Sequence, residues 1–164
     1  MVDAATNALQ SMDSTSSSAE IDRDNSWKPF TLKYSFDSFP VKHYIGKLMQ
    51  PDFTSVEYGN DQQFREFISE RIVNTPINFA GKYSIIGKSC GAMCSAIYMI
   101  DRQTGKIFSF PEADGHWGYR YYPNSSLLLA NASLVNDSMT KYLDQWGIEP
   151  EFYQWNGAGF KRLP

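Results

Sequence analysis

The chain has 164 residues, 42% hydrophobic and 20% charged, with a formal net charge of −3. That length suits one domain with a buried core, and an acidic balance without clustered Lys and Arg argues against nucleic acid as a partner. No run approaches the roughly 18 consecutive apolar residues of a membrane-crossing helix, so no membrane span is expected.

Aromatic residues are abundant, at 11 Phe, 10 Tyr and 4 Trp. They favour pleated, half-buried surfaces and contact surfaces, which tilts the class towards β-rich. The opening Met1-Val-Asp-Ala-Ala5 has neither the basic nor the apolar region of a signal peptide. Residues 1–26 are polar and serine-rich, too poor in apolar side chains to offset the entropy of ordering, and are expected to be a flexible segment. A single globular domain is expected over 27–164.

Leu32-Lys-Tyr-Ser-Phe36 alternates apolar and polar and predicts a first strand. Asp61 to Val73 predicts a helix, with Asn60 as its N-cap and Phe64, Phe67, Ile68 and Ile72 on one face. Asn74-Thr-Pro76 ends it. Strands follow at Lys82 to Lys88, Ser95 to Ile100 and Lys106 to Phe110, the last two joined by the turn Asp101-Arg-Gln-Thr-Gly105. Tyr119 to Tyr122 and Leu127 to Ala132 flank the turn Pro123-Asn-Ser-Ser126. A second helix is predicted over Asp137 to Trp146, capped by Asn136 and closed by Gly147. Phe152-Tyr-Gln-Trp155, Asn156-Gly-Ala-Gly159 and Phe160-Lys-Arg-Leu163 read as a hairpin. The expected class is α+β, a β-dominated antiparallel sheet with two helices. A small propeller-like all-β array is the alternative, because strand, Asp-x-x-Thr-Gly turn and strand is also a blade-like unit.

Cys90 and Cys94 are the only cysteines. On a straight strand they would lie roughly 13 Å apart, beyond disulfide reach, so Gly91-Ala-Met93 must turn to join them. A disulfide is expected if the compartment is oxidising, with two buried thiols as the alternative. His43 and His116 lack ligand spacing, so no metal is expected, and no cofactor either. A hydrolase reading would make Cys90 a nucleophile with His116 as base and Asp114 as orienter.

Glu112-Ala-Asp-Gly-His-Trp-Gly-Tyr119 combines two carboxylates, an imidazole and aromatics between glycines. Loops of this composition make contacts, because rigid strands position them at the surface. Arg120 and Tyr122 extend it with residue types rich in binding hot spots. Glu112, Asp114, His116, Trp117, Tyr119, Arg120 and Tyr122 are the candidate partner-binding residues. Asn124-Ser-Ser126, Asn131-Ala-Ser133 and Asn136-Asp-Ser138 match the glycosylation acceptor pattern.

At Asn78-Phe-Ala-Gly-Lys-Tyr83, Cys90-Gly-Ala-Met-Cys94, Asp101-Arg-Gln-Thr-Gly105, Ser126-Leu-Leu-Leu129 and Tyr153-Gln-Trp-Asn-Gly157, the chain resembles a poorly characterised group of bacterial exported proteins. The likeness spans roughly Asn78 to Leu163, and Lys82 stands where a histidine is expected. It implies a periplasmic setting, with the signal peptide removed. By analogy with small acidic periplasmic domains, an immunity protein or inhibitor is expected, one that blocks a secreted toxin or cell-wall hydrolase by inserting the loop 112–122. In that reading Asp114 or Glu112 pairs with basic residues, and Trp117 and Tyr119 anchor the interface. The other readings are the cysteine-dependent hydrolase and a structural or small-ligand-binding envelope domain.

Overall fold

Two antiparallel sheets lie face to face, because the strands at their centres are apolar on both sides. The computed structural model describes residues 26–91, 94–111, 117–144 and 147–164. Its strands are β1 (Trp27–Pro29), β2 (Tyr83–Gly91), β3 (Cys94–Asp101), β4 (Ile107–Ser109), β5 (Tyr119–Tyr121), β6 (Leu127–Ala130), β7 (Lys141–Leu143), β8 (Glu151–Trp155) and β9 (Phe160–Arg162). One α-helix, α1 (Gln62–Ile72), and four short 3-10 turns accompany them among the described residues. The sheets run β2-β3-β4 and β5-β6-β8-β9, with a separate ribbon β1-β7.

Register explains the layering. Ile85 lies opposite Met99 and Met99 opposite Phe108, and all three turn towards the second sheet. Leu128 pairs with Tyr153 and meets them from the other side. The next residues along each strand point outwards, but not to water. Ile86, Ile100 and Ile107 pack under α1 with Ile72, while Leu127, Leu129 and Phe152 pack under the N-terminal segment. Leu127 to Ala130 is therefore a continuous apolar run with every side chain at 0% exposure. A strand covered on both faces has no need of alternation.

The helix begins as Asp61 Oδ1 accepts from the Phe64 amide at 2.7 Å. Asp61 is the N-cap, not Asn60, which belongs to the preceding 3-10 turn. Ile68 and Ile72 are fully buried on the sheet side. Ser84 Oγ donates to the Pro76 carbonyl at 2.8 Å and fixes the chain leaving the helix.

The expected second helix does not form. Asn136 Oδ1 accepts from the Thr140 and Lys141 amides at 2.9 and 3.0 Å, and Met139 takes a φ of 53°. These bonds close a loop, since an Asn side chain competes with helical backbone pairing. Lys141–Leu143 then leaves as β7 and pairs with β1. The apolar spacing of Met139 and Tyr142 serves burial beside β6 instead. Gln145 and Trp146 lie outside the described residues.

Leu32 to Phe36 is not a strand either. Its alternation is real: Leu32, Tyr34 and Phe36 are half-buried while Thr31, Lys33 and Ser35 are exposed. The segment attaches through side chains, with the Tyr34 ring 5.3 Å from Phe152. The Asn156 turn forms as expected, its Oδ1 accepting from Ala158 and Gly159, both at 2.9 Å. The expected flexible segment 1–26 lies, apart from Ser26, outside the described residues. Two stacked sheets with a helix outside one of them make the fold β-dominated α+β, not a ring of blades.

One polar group sits at the edge of the inter-sheet core. Glu151 is 8% exposed; its Oε2 accepts from the Tyr153 hydroxyl at 2.6 Å and its Oε1 from Arg162 at 3.1 Å. Burial, then the bond to Glu151, pushes the Tyr153 phenol well above its ordinary pKa, and burial raises Tyr121 as well.

Two outcomes follow for stability. Leu129→Ala is expected to lower the unfolding free energy by about 2–5 kcal/mol, seen as a fall in the denaturant midpoint. A loss under about 1 kcal/mol would contradict burial on both faces of β6. For pH, the unfolded chain's phenols ionise near their ordinary value while the folded ones hold their protons. Stability is thus fully present below about pH 10 and falls as pH rises beyond it, by up to about 1.4 kcal/mol per pH unit from Tyr153. Urea titrations between about pH 8 and pH 11 should show this decline, shallower in Tyr153→Phe. A flat profile would refute the assignment.

Candidate functional site

The corner Asn78–Tyr83 is built by its own side chains. Asn78 accepts from the Ile85 amide at 2.8 Å and donates to the Ile85 carbonyl at 3.1 Å, imitating a neighbouring strand. Phe79 is fully buried between the sheets. Ala80 and Gly81 then take φ values of 43° and 78°, which turn the chain back so that the Tyr83 amide reaches the Phe79 carbonyl at 3.0 Å.

The turn Asp101–Gly105 stands beside it. Asp101 Oδ1 accepts from the Gln103 amide at 2.8 Å and the Thr104 amide at 3.3 Å; Oδ2 accepts from Lys82 Nζ at 2.8 Å. Burial alone would lower the Lys82 pKa, but the hydrogen bond to Asp101, the neighbouring Tyr83 phenol and the charge of Asp101 together outweigh it and raise it. Arg102 points inwards, 4% exposed, and donates to the carbonyl of Thr75 at 2.9 Å and to Ser84 Oγ at 3.1 Å. Its charge therefore faces carbonyls just beyond the C-terminal, electronegative end of α1. Burial pulls the guanidinium below its ordinary pKa, yet it stays protonated at any working pH.

Both features are docking points for one surface segment. The Tyr44 amide donates to the Gly81 carbonyl, Met49 to Arg102 and Asp52 to Gly105, each at 2.8 Å. Val41 donates to the Asn124 carbonyl at 3.2 Å. The approach is too close for side chains: a Cβ at Gly81 would lie 2.2 Å from the Lys42 carbonyl oxygen, and one at Gly105 2.3 Å from that of Gln50. Between these ties, the Tyr44 ring folds over Gly46 and its hydroxyl donates to the Lys47 carbonyl at 3.1 Å. Ile45 is left at the tip, 94% exposed, with Leu48 and Met49 partly exposed behind it. A cleft of about 390 Å³ runs beside the tip, lined by Lys42, His43, Tyr44, Ile45, Lys82 and Gln103.

A smaller hollow of about 160 Å³ lies at the opposite face of β2-β3-β4, where Phe64, Phe67 and Tyr98 meet Asp61 and Lys88. The Phe64 and Tyr98 rings are 5.0 Å apart, edge to face. Among the described residues, no group of three or more His, Cys, Asp and Glu side chains is placed to hold a metal.

Of the residues singled out in the sequence, those the structure describes lie on different faces of their strands. Glu112, Asp114 and His116 lie outside the described residues. Trp117 is half-buried, its amide donating to Asn131 Oδ1 at 3.3 Å and its carbonyl accepting from Ser133 at 2.8 Å. Tyr119 packs against the inter-sheet core, edge-on to Phe110 at 4.8 Å, and donates to the Pro111 carbonyl. Arg120 stands opposite Leu129, on the other face of the strand. Tyr122 is exposed on one side and packs edge-on against Phe36 at 4.7 Å. Cys94 pairs with Gly91 at the tip of the β2-β3 hairpin, and Cys90 falls at the break in register between Ser89 and Gly91. The two cysteine side chains lie outside the described ones, and so does any disulfide or nucleophile made from them. Asn131 is 1% exposed and bonded to Glu149, which removes it as a glycosylation acceptor.

Sequence reasoning missed the segment 41–49. Its one local signal is charge: residues 38–51 hold Lys42, Lys47 and His43 and no carboxylate, within an acidic chain. Comparisons with models of protein families, with curated proteins and with solved structures gave no match.

Proposed function

We propose that the protein is a binding protein of the bacterial periplasm, an immunity protein or inhibitor that blocks a secreted toxin or cell-wall hydrolase by loop insertion. The segment 41–49 is the inserted loop. One observation carries this: Ile45 is 94% exposed at the tip of a loop whose backbone is tied at Tyr44, Met49 and Asp52 to the sheet corners. A β-branched apolar side chain held in water on a short, pinned loop gains burial only when a partner covers it. The ties also lower the ordering cost of association, because the loop backbone is already fixed at Tyr44, Met49 and Asp52. Leu48 and Met49 add apolar surface beside it. The periplasmic setting rests on the resemblance carried by Asn78–Tyr83, the cysteine pair and the terminal hairpin.

The test is a titration against the purified secreted hydrolase or toxin encoded next to this protein's gene. A one-to-one complex that inhibits the effector is expected. Ile45→Asp should weaken it by roughly tenfold or more, about 1.4 kcal/mol, with an unchanged melting temperature. Tyr122→Ala should weaken it far less. Full inhibition by Ile45→Asp would move the contact elsewhere, and no complex with any neighbouring effector would sink the reading.

A further inference from the structure

We infer that the cleft beside Ile45 is a carboxylate subsite, which takes an acidic side chain of the partner while an adjacent apolar side chain rests on Tyr44 and Ile45. This deepens the reading of 41–49 as the inserted loop. Three of the lining groups, Lys42, His43 and Lys82, carry or can carry positive charge, and no carboxylate lines the cleft. The nearby Asp101 is 4% exposed, and both its oxygens are already used, one by the turn amides and one by Lys82. Lys42 and His43 make no side-chain hydrogen bond or ion pair among the described residues. Lys82 is held by Asp101 and keeps about a third of its side chain exposed.

Lys42 and His43 are exposed, so repulsion among the basic groups is screened by solvent and the cleft carries no strain of its own. What favours an anion there is the attraction of a lining that holds basic side chains and no carboxylate. The cleft volume, about 390 Å³, lies in the range of sites that enclose small molecules or a few side chains. Its apolar part, Tyr44 and Ile45, continues directly from the cationic part, so the fitting ligand is acidic next to apolar. A free inorganic anion would use only half of that surface. Peptide segments that alternate acidic and aliphatic residues use all of it.

The experiment is an amide chemical-shift titration of the full chain with N-acetyl-Glu-Leu-Glu-amide and with N-acetyl-Gln-Leu-Gln-amide. The acidic peptide is expected to shift the amides of Lys42 to Gly46, Lys82 and Gln103 saturably, and the neutral peptide to bind roughly tenfold more weakly. Lys42→Gln, a surface change that leaves the fold intact, should weaken the acidic peptide by roughly fivefold, and raising salt from about 50 to about 300 mM should do likewise. Equal binding of the two peptides overturns the inference, as do shifts confined to other residues or no saturable shift. Inorganic phosphate bound as tightly as the acidic peptide at the same amides also overturns it, since charge alone would then account for the binding. The peptide assay is independent of the effector complex. A complex that needs Ile45 with no peptide binding removes the subsite and leaves the loop; peptide binding with an Ile45-independent complex does the reverse.

Discussion

The carboxylate of Asp101 organises the part of the molecule on which the candidate site depends. It accepts two main-chain amides of its own turn and the ammonium of Lys82, so two separate pieces of chain meet at one buried side chain. The turn so held presents the carbonyls of Arg102 and Gly105 outwards, and these receive Met49 and Asp52. Lys82, held by the same carboxylate, follows Gly81, whose carbonyl receives Tyr44. A charge-assisted bond to a buried carboxylate is stronger than a neutral one, and a buried carboxylate that loses its donors is costly. Arg102 completes the arrangement from behind by tying the turn to the end of α1. Sheet, helix and surface segment are thereby joined at a single corner.

The stacked sheets supply the rigidity that such a corner needs. β6 is buried on both faces, and its neighbours carry a chain of edge-to-face aromatic contacts between the sheets: Tyr83 with Trp155 at 5.4 Å, Phe108 with Trp155 at 5.1 Å, and Phe110 with Tyr119 at 4.8 Å. Rings packed this way add orientation to burial, because edge and face carry opposite partial charge. The abundance of aromatics in the chain is thus largely a property of the core. Tyr119, read from sequence as a contact residue, has its ring in this series.

What was legible follows the range of the interactions involved. The Asp101 turn, the Asn156 hairpin and the helix around Phe64, Phe67, Ile68 and Ile72 depend on residues a few positions apart, and their signals are local. Asp137–Trp146 carried a helical spacing of apolar residues, but Asn136 bonds its own chain four and five residues on, and that local turn prevails. Leu32–Phe36 showed the right buried side chains without revealing that no strand would pair with them. The loop at Ile45 was illegible because its shape depends on carbonyls far along the chain, at Gly81, Arg102 and Gly105. The glycines themselves were visible within their motifs. Which segment would come close enough to require them was not.

The proposed function then rests on whether the segment 41–49 is held as firmly as its main-chain bonds imply. Native-state hydrogen exchange reads this residue by residue. The amides of Tyr44, Met49 and Asp52 should exchange slowly, near the rates of the β2-β3 ladder, while those of Ile45 and Gly46 at the tip exchange fast. In Asp101→Ala the three protected amides should accelerate together, while Leu127 to Leu129 in β6 stay protected. Exchange of Tyr44, Met49 and Asp52 in the unaltered protein as fast as that of Ile45 would contradict the account, because the loop would then be free chain.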